Sequence, residues 1–234
     1  MDAIFVTGTG TDIGKTIVSL ALCHLSVQKG KKTAYYKPVQ CGELRLFKGG
    51  RNGGDSALIK HFLPQDIDTS VCYDFKNPVS PHLAAVRENF LVEKTKIIEM
   101  FNALCLEYDV VIMEGTGGCA VPLNESGTTL PDIMSGLPVK TVMVCAPYLG
   151  TISHSVTASF FIKQKQLSAH GFIMSHSQPE IPDIFLDNIE IIKRMTGLPY
   201  LGEVGYLKEL QSGKALKAGE FQNMVSGLAV DELF

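Results

Sequence analysis

The chain has 234 residues, of which 45% are hydrophobic and 19% are charged, and its formal net charge at pH 7 is -3. A chain of this length can bury one substantial hydrophobic core, so we expect residues 1–234 to form a single domain. The balanced charge excludes a basic surface for nucleic acid and an acidic tail, and it favours small-molecule partners.

The cysteines and the apolar segments indicate the compartment in which the protein works. The six cysteines form no C-x-x-C pair and show no metal-ligand spacing, so we interpret them as small buried residues of a reducing cytosol. The N-terminal sequence lacks the basic segment, apolar stretch and cleavage site of a signal peptide. No apolar run approaches the roughly 18 to 20 residues of a membrane helix. We therefore expect a cytoplasmic protein.

Apolar β-type runs alternate with helical patterns along the chain, which is typical of a parallel sheet covered on both faces. The predicted strands are Ala3–Thr7, Thr33–Tyr36, Val110–Met113, Thr141–Cys145, Gly171–Met174 and Tyr200–Val204. The predicted helices are Lys15–Lys29, Asp55–Phe62, Val92–Glu107, Ile152–Lys165 and Ile184–Thr196. We expect a doubly wound, mostly parallel sheet in a three-layer α/β sandwich, with a mobile Gly-rich loop at 48–54.

The segment Gly8-Thr-Gly-Thr-Asp-Ile-Gly-Lys-Thr16 joins the first strand to the first helix. In that context, backbone N–H groups of such a loop wrap phosphates, Lys15 reaches the terminal ones and the Thr16 hydroxyl suits Mg²⁺. The positive end of the helix dipole adds to this attraction. The alternative is an ordinary Gly-rich turn, which the flanking elements disfavour. The sequence therefore predicts phosphate binding by Gly10, Thr11, Asp12, Ile13, Gly14, Lys15 and Thr16.

Two carboxylates lie at the predicted ligand crevice, because loops at the carboxyl ends of parallel strands line that crevice. Glu114 ends a buried strand and precedes a Gly-rich turn, an arrangement that holds Mg²⁺ in nucleotide enzymes. A lone acid at this place can also be a helix cap or a surface charge. For Asp55, a cap alone and a cap that also contacts Mg²⁺ are equal alternatives.

Three further segments carry polar side chains. Lys37 precedes Pro38, which we expect to end the second strand and to direct the lysine towards the phosphates; a solvated lysine is the alternative. The stretch at 78–82 is interpreted as an irregular loop, with His82 as a candidate for proton handling. The stretch at 148–154 opens a helix that can bind an anion, although its spacing alone favours a plain capped helix.

Five segments, in this order, resemble the dethiobiotin synthetase family, whose members use ATP to close the ureido ring late in biotin synthesis. They are Val6-Thr-Gly-Thr-Gly-Thr-Asp-Ile-Gly-Lys-Thr16, Tyr36-Lys-Pro-Val39, Ser80-Pro-His82, Glu114-Gly-Thr-Gly-Gly118 and Pro199-Tyr-Leu-Gly-Glu203. The resemblance implies a homodimer with a P-loop nucleotide hydrolase-like fold. It also implies ATP, Mg²⁺, CO₂ and 7,8-diaminononanoate as cofactors and substrates.

The resemblance also implies roles for individual residues. It assigns Lys15, Lys37 and Thr11 to catalysis, with Lys37 at the reacting carbamate, and Thr16, Asp55 and Glu114 to the metal. The nucleotide would also contact Glu114, Gly117 and Ser175. The diamine would be bordered by Thr11, Cys41, Ser80, Gly117 and Gly118, and its tail carboxylate by the turn at Gly150, Thr151 and Ser153 of the partner subunit.

The chain departs from the family pattern at three positions. Cys41 replaces a common Ser, and Ser153 replaces an Asn that the helix-opening turn usually carries. Ser175 replaces the Asn that generally reads the edge of adenine. A Ser hydroxyl offers less than the paired donor and acceptor of Asn, so we expect weak base readout unless His176 or a backbone group replaces it.

Rival functions come from other classes of protein with the same kind of loop. A partitioning-type ATPase or switch typically has a signature lysine early in the loop, where this chain has Gly10. A cobyrinic-acid-type amide ligase normally adds a glutaminase domain, for which this chain has no room. A nucleotide-binding protein without catalytic activity is distinguished from these by assay and not by motif.

Overall fold

The computed structural model describes residues 1–42, 44–45, 52–63, 66–167, 169–176, 183–209, 214 and 216–234. Most of the Gly-rich run at 48–54 lies outside the described residues. The strands are β1 (Asp2–Gly8), β2 (Thr33–Cys41), β3 (Leu44–Arg45), β4 (Asn52–Gly53), β5 (Ile67–Phe75), β6 (Val110–Glu114), β7 (Lys140–Cys145), β8 (Ala169–Ser175) and β9 (Tyr200–Val204). Seven of them form a parallel sheet in the order β5-β2-β6-β1-β7-β8-β9, while β3 and β4 pair as a short antiparallel ribbon.

Helices cover both faces of the seven-stranded sheet. They are α1 (Lys15–Gln28), α2 (Asp55–Phe62), α3 (Pro81–Arg87), α4 (Lys94–Glu107), α5 (Leu130–Met134), α6 (Thr151–Gln164), α7 (Phe185–Thr196) and α8 (Ala218–Val225), followed by a 3-10 turn at Asp231–Leu233. The predicted three-layer α/β fold is confirmed. Among the helices of the described residues, none is long and apolar enough to span a membrane.

Alternation along the strands supplies two hydrophobic cores, one on each face of the sheet. Ile4 and Val6 of β1 pack with apolar residues of α1, α2 and α8. Phe5 points to the opposite face, where the core includes residues of α3, α4, α5, α6 and α7. The central strands are buried on both faces, which explains why they read as continuous apolar runs in the sequence.

The second strand is longer than predicted. β2 continues through Pro38 to Cys41, so the prediction that Pro38 ends the strand is wrong. The pairing of β2 with β6 stops at Tyr36, whereas its pairing with β5 continues to Cys41. Pro38 thus lies where β2 has an edge on one side, which is a place in a sheet where proline is tolerated.

Several elements were absent from the prediction. β5 lies at the edge of the sheet and carries the polar run Asp68-Thr-Ser70, which gives a weak strand signal. The stretch interpreted as an irregular loop at 78–82 contains the start of α3, with Pro81 in the first turn, where its fixed φ suits a helix. All five predicted helices are present, and each begins and ends within two residues of its predicted bounds.

Candidate active site

The phosphate-type loop connects β1 to α1 as predicted. Gly14 is the N-cap of α1 and has a φ of 87°, and a Cβ at this position would lie 2.0 Å from the Ser175 hydroxyl oxygen. Only glycine fits this place without strain. Among the residues that the structure describes, no side chain caps α1 and no acid lies in its first turn. The first N–H groups of α1 are therefore available to an anion.

Lys15 lies inside this loop. Its side chain is buried, with the residue 6% exposed, and its ammonium group donates a hydrogen bond to the Gly10 carbonyl oxygen at 2.6 Å. Burial lowers the pKa of Lys15 to about 8, although the negative charge of Glu114 acts in the opposite direction. The lysine therefore folds back over the loop, where a phosphate group would compete for its charge.

Three oxygen-bearing side chains converge beside the start of α1. The Thr16 hydroxyl lies 2.9 Å from Asp55 Oδ1 and 2.9 Å from Glu114 Oε1. Two carboxylates and a hydroxyl are the hard oxygen ligands that Mg²⁺ prefers, and Mg²⁺ commonly binds proteins through only one or two carboxylates. The donor set of Thr16, Asp55 and Glu114 therefore fits Mg²⁺.

Lys37 places its ammonium group between the same carboxylates. Its Nζ lies 2.6 Å from Asp55 Oδ2, 2.8 Å from Glu114 Oε1 and 2.9 Å from the Gly115 carbonyl oxygen. Burial by itself would lower the pKa of Lys37, but Glu114 and Asp55 outweigh it and raise the pKa above its usual value. Lys37 is thus a buried cation whose three N–H donors all have protein partners.

Asp55 does not act as the cap of α2. The N-cap position is Gly54, and the Asp55 carboxylate faces Thr16 and Lys37. Burial opposes its ionisation, yet the charge of Lys37 and the hydrogen bonds from Lys37 and Thr16 hold the pKa of Asp55 below its usual value. Its geometry therefore differs from that of a plain helix cap.

The Gly-rich turn after Glu114 packs directly on the phosphate-type loop. The Cys119 N–H donates to the Gly8 carbonyl oxygen at 2.9 Å, and a Cβ on Gly118 would lie 3.4 Å from the Gly10 Cα. A Cβ on Gly117, whose φ is 65°, would lie 3.6 Å from the Thr11 hydroxyl. Thr11 and Asp12 are exposed at the mouth of the loop, while Ile13 is buried beneath it. The predicted nucleotide residues of these two segments are therefore brought together.

Two of the predicted diamine contacts lie on neighbouring segments. Cys41 ends β2, and the following Gly42 packs on Pro78, two residues before Ser80. Burial raises the pKa of the Cys41 thiol to about 12, so this thiol is protonated at neutral pH. Cys41 is therefore a weak hydrogen-bonding group at this end of β2.

The turn at Gly150 to Ser153 follows β7, whose last residues pair with the end of β1. Gly150, with a φ of 104°, is the N-cap of α6, and Thr151 is the first residue of the helix. Gly150 and Ser153 line a groove of about 480 Å³ between α6 and α7, together with apolar side chains that include Leu149 and Ile152. Lys37 and Ser80 are not among the residues that line this groove.

The position proposed to read the base lies at the end of β8. Ser175 is 3% exposed and packs on Gly14 of the phosphate-type loop. The neighbouring His176 is buried, its Nε2 lies 2.9 Å from Glu203 Oε2, and its ring packs on Phe185. His82, the candidate for proton handling, lies in α3.

Sequence reasoning missed Tyr35. This residue is fully buried, and its hydroxyl donates to Glu114 Oε2 at 2.8 Å. A signal for it exists, because side chains two residues apart in a strand share a face, so Tyr35 lies on the same face as Lys37. Gln40 was missed as well; it hydrogen-bonds Asp74 and accepts the Ser56 N–H, which holds the start of α2 against β2.

Comparison with known proteins identifies the family. A family model described as an AAA domain matches residues 2–214. An ATP-dependent dethiobiotin synthetase, BioD, from Halalkalibacterium halodurans is 34% identical over 212 residues, which cover 90% of this chain and 87% of that protein. The BioD protein of Clostridium acetobutylicum is 32% identical over 214 residues, 89% of this chain and 88% of that protein. The chain belongs to the ATP-dependent dethiobiotin synthetase family. It is therefore a ligase of the ATP-dependent P-loop class, as predicted from its motifs.

Solved structures show how widely this fold is shared. The cell division ATPase MinD of Pyrococcus furiosus superimposes with a TM-score of 0.61 at 15% identity and covers 100% of both chains. A ParA family ATPase from Chlorobium tepidum has a TM-score of 0.57 at 12% identity, over 96% of this chain and 90% of that one. At such low identity the likeness shows the fold alone. It is the dethiobiotin synthetase relatives that determine the family.

Proposed function

We propose that this chain uses ATP and Mg²⁺ to convert 7,8-diaminononanoate and CO₂ into dethiobiotin, ADP and phosphate. One observation carries the proposal: Thr16, Lys37, Asp55 and Glu114 converge at the end of the phosphate-type loop, although they are far apart in the sequence. Such an arrangement supplies positive charge and metal ligands where a phosphoryl group would be transferred.

The proposed reaction has three steps. An amine nitrogen of the substrate attacks CO₂ and releases a proton, which gives a carbamate anion. A carbamate oxygen attacks the γ-phosphorus of ATP in line with the departing ADP, which gives a carbamic-phosphoric anhydride. The second amine attacks the carbonyl carbon and releases a proton as the C–O bond to phosphate breaks, which closes the cyclic urea.

Each charged residue has a place in these steps. Lys15 and the loop N–H groups would hold the terminal phosphates in line for transfer. Thr16, Asp55 and Glu114 would hold Mg²⁺, which neutralises charge on the phosphate oxygens. Lys37 would stabilise the carbamate anion. Because its three N–H donors already have protein partners, Lys37 must exchange at least one of them to reach the substrate.

The substrate site that we propose lies between two subunits of a homodimer, each a single nucleotide-binding ligase domain. Cys41, Ser80 and Gly118 would border the diamine within one subunit. The turn at Gly150, Thr151 and Ser153 of the partner subunit would bind the tail carboxylate, since free N–H groups at a helix N-terminus attract anions.

The test measures phosphate release from MgATP and bicarbonate, with and without 7,8-diaminononanoate. We expect release to depend on the diamine, and mass spectrometry to detect one cyclic urea for each ATP consumed. Equal hydrolysis without the diamine, with no cyclic urea formed, would contradict the proposal. Lys165→Ala serves as a control variant. This lysine pairs with Asp132 in a partly exposed ion pair, so its removal should leave the reaction unchanged.

A further inference from the structure

Tyr35 is a buried polar residue to which the proposed reaction gives no role. It lies in β2, two residues before Lys37, and none of its surface is exposed. Its hydroxyl donates a hydrogen bond to Glu114 Oε2 at 2.8 Å. The buried phenol thus contacts the carboxylate of a candidate metal ligand, which indicates a role at the metal site.

The two oxygens of Glu114 have different partners. Oε1 faces the Thr16 hydroxyl at 2.9 Å and the Lys37 ammonium group at 2.8 Å. Oε2 accepts the hydrogen bond from Tyr35. Glu114 is 1% exposed, so water does not replace a lost partner easily. The phenol therefore holds the carboxylate in the orientation in which its other oxygen faces Thr16.

We propose that Tyr35 is a positioning residue for the metal site, which holds one carboxylate oxygen of Glu114 so that the other is presented beside Thr16 and Asp55. The inference rests on the proposed function, because it takes Glu114 as a metal ligand. Hydrogen bonds that orient metal ligands from behind commonly contribute about tenfold to a hundredfold in metal affinity. Tyr35 acts through Glu114 and does not touch the substrate.

An ionised carboxylate only accepts hydrogen bonds, so the Tyr35 O–H is the donor in this contact. Without the hydroxyl, the buried Oε2 would have to turn towards Lys37 or Thr16, in competition with a metal ion.

The neighbouring residue provides a matched control. Tyr36 has the same side chain, lies in the same strand and is equally buried, but it packs on the opposite face of the sheet. Its hydroxyl donates to the Ile97 carbonyl oxygen at 3.1 Å and not to Glu114. Tyr35→Phe and Tyr36→Phe therefore remove the same atom from two equally buried places.

The experiment measures binding of Mn²⁺ to the full chain in the presence of ADP, by electron paramagnetic resonance, without diamine or turnover. We expect Tyr35→Phe to weaken Mn²⁺ binding at least about tenfold, and Tyr36→Phe to change it less than about twofold. Tyr35→Met also lacks the hydroxyl and must show the same loss, which covers the case in which one variant folds poorly. Circular dichroism checks the fold of each.

Two outcomes would overturn the inference. Equal Mn²⁺ binding by Tyr35→Phe and the unmodified protein would remove Tyr35 from the metal site, while leaving dethiobiotin formation untouched. The absence of any Mn²⁺ binding by the unmodified protein with ADP would overturn both the inference and the assignment of Glu114. If the unmodified protein binds Mn²⁺ and Tyr35→Phe weakens this binding, but the unmodified protein forms no dethiobiotin, the result counts against the proposed reaction and not against Tyr35.

Discussion

The two ends of the proposed nucleotide site, the proposed metal end and the proposed base end, are built differently. At the metal end, Lys37 and Glu114 are almost fully buried, and each makes contacts of 2.6 to 2.9 Å with several charged or polar partners. At the base end, Ser175 offers a single hydroxyl, and His176 is engaged with Glu203. Charges that cannot reach water require partners, so the metal end is defined by mutual electrostatic contacts. Among the described residues, the proposed base end holds no such cluster of buried charges, and this predicts strict phosphate chemistry combined with tolerant base recognition.

The largest effect is expected from Lys37→Ala. Loss of a preorganised charge at such a site costs on the order of 3 to 4 kcal/mol, which is roughly a hundredfold to a thousandfold in turnover. Because Lys37 contacts carboxylates and not the phosphate-type loop, ATP affinity should stay nearly unchanged. Steady-state kinetics and calorimetry with ATP measure the two quantities. Near-native turnover would exclude Lys37 from the mechanism.

The same substitution tests the buried network through stability. Without Lys37, the carboxylates of Asp55 and Glu114 face each other across a buried space, and breaking a buried ion pair on one side costs about 3 to 5 kcal/mol. Urea denaturation of Lys37→Ala should show this loss in the free energy of unfolding. Lys165→Ala removes a partly exposed ion pair with Asp132 and should cost no more than about 1 kcal/mol.

Lys15→Ala should affect binding and turnover together, in contrast to Lys37→Ala. Its ammonium group lies inside the phosphate-type loop, where it would contact phosphate oxygens in the ground state as well as in the transition state. We expect a decrease in turnover of about a hundredfold or more, together with clearly weaker ATP binding. ATP affinity equal to that of the unmodified protein would place Lys15 outside the phosphate site.

Binding of ATP should depend on pH through Lys15. Its pKa of about 8 means that the free protein carries a charged Lys15 below this pH and a neutral one above it. Phosphates favour the charged form, so ATP affinity should fall as the pH rises through 8, by about tenfold between pH 7 and pH 9. Calorimetry over this range measures the slope. Lys15→Arg, which stays charged, should show a flat profile, and an identical slope in both proteins would contradict the assignment.

The smallest effect is expected at the base end. An Asn offers a donor and an acceptor to adenine, and two lost hydrogen bonds at roughly 0.5 to 1.5 kcal/mol each correspond to about tenfold or somewhat more in discrimination. We expect GTP or CTP to support the reaction within about tenfold of ATP, and Ser175→Asn to shift the preference towards ATP. Catalytic efficiencies for the three nucleotides decide the matter. A preference for ATP above about a hundredfold in the unmodified protein would refute this expectation.

Regular elements of the central sheet could be predicted closely, whereas elements at its edge could not. The apolar runs of β1, β6 and β7 are unbroken because helices cover both faces of these strands. β5 has a neighbour on one side only, so polar residues are accepted along it and its pattern is weak. The prediction that Pro38 ends β2 is wrong for a related reason. A strand can continue through a proline where no neighbouring strand pairs with it on that side, and the pairing of β2 with β6 stops before Pro38.

The residues of the candidate site also differ in how closely the sequence predicts them. The loop from Gly8 to Thr16 was recognised from contiguous residues, because the turn and the helix start depend on local backbone geometry. The contacts of Lys37 with Asp55 and Glu114 join residues 18 and 77 positions apart. The contact with Glu114 exists because β2 lies beside β6 in the sheet, and the contact with Asp55 because α2 begins beside β2. Tyr35 carries no motif at all, and only its distance to Glu114 reveals it.

The sequence by itself determined the fold class, the phosphate-type loop and the residue types of the site. The tertiary structure alone decided which charges neutralise one another, that Tyr35 contacts the Glu114 carboxylate, and that the Gly150 turn lines a groove between α6 and α7. The physical reason is that a turn or a strand is specified by neighbours along the chain, whereas pairing between distant strands depends on how the whole core packs. Contacts between buried charges follow from that packing and cannot be read from any one segment.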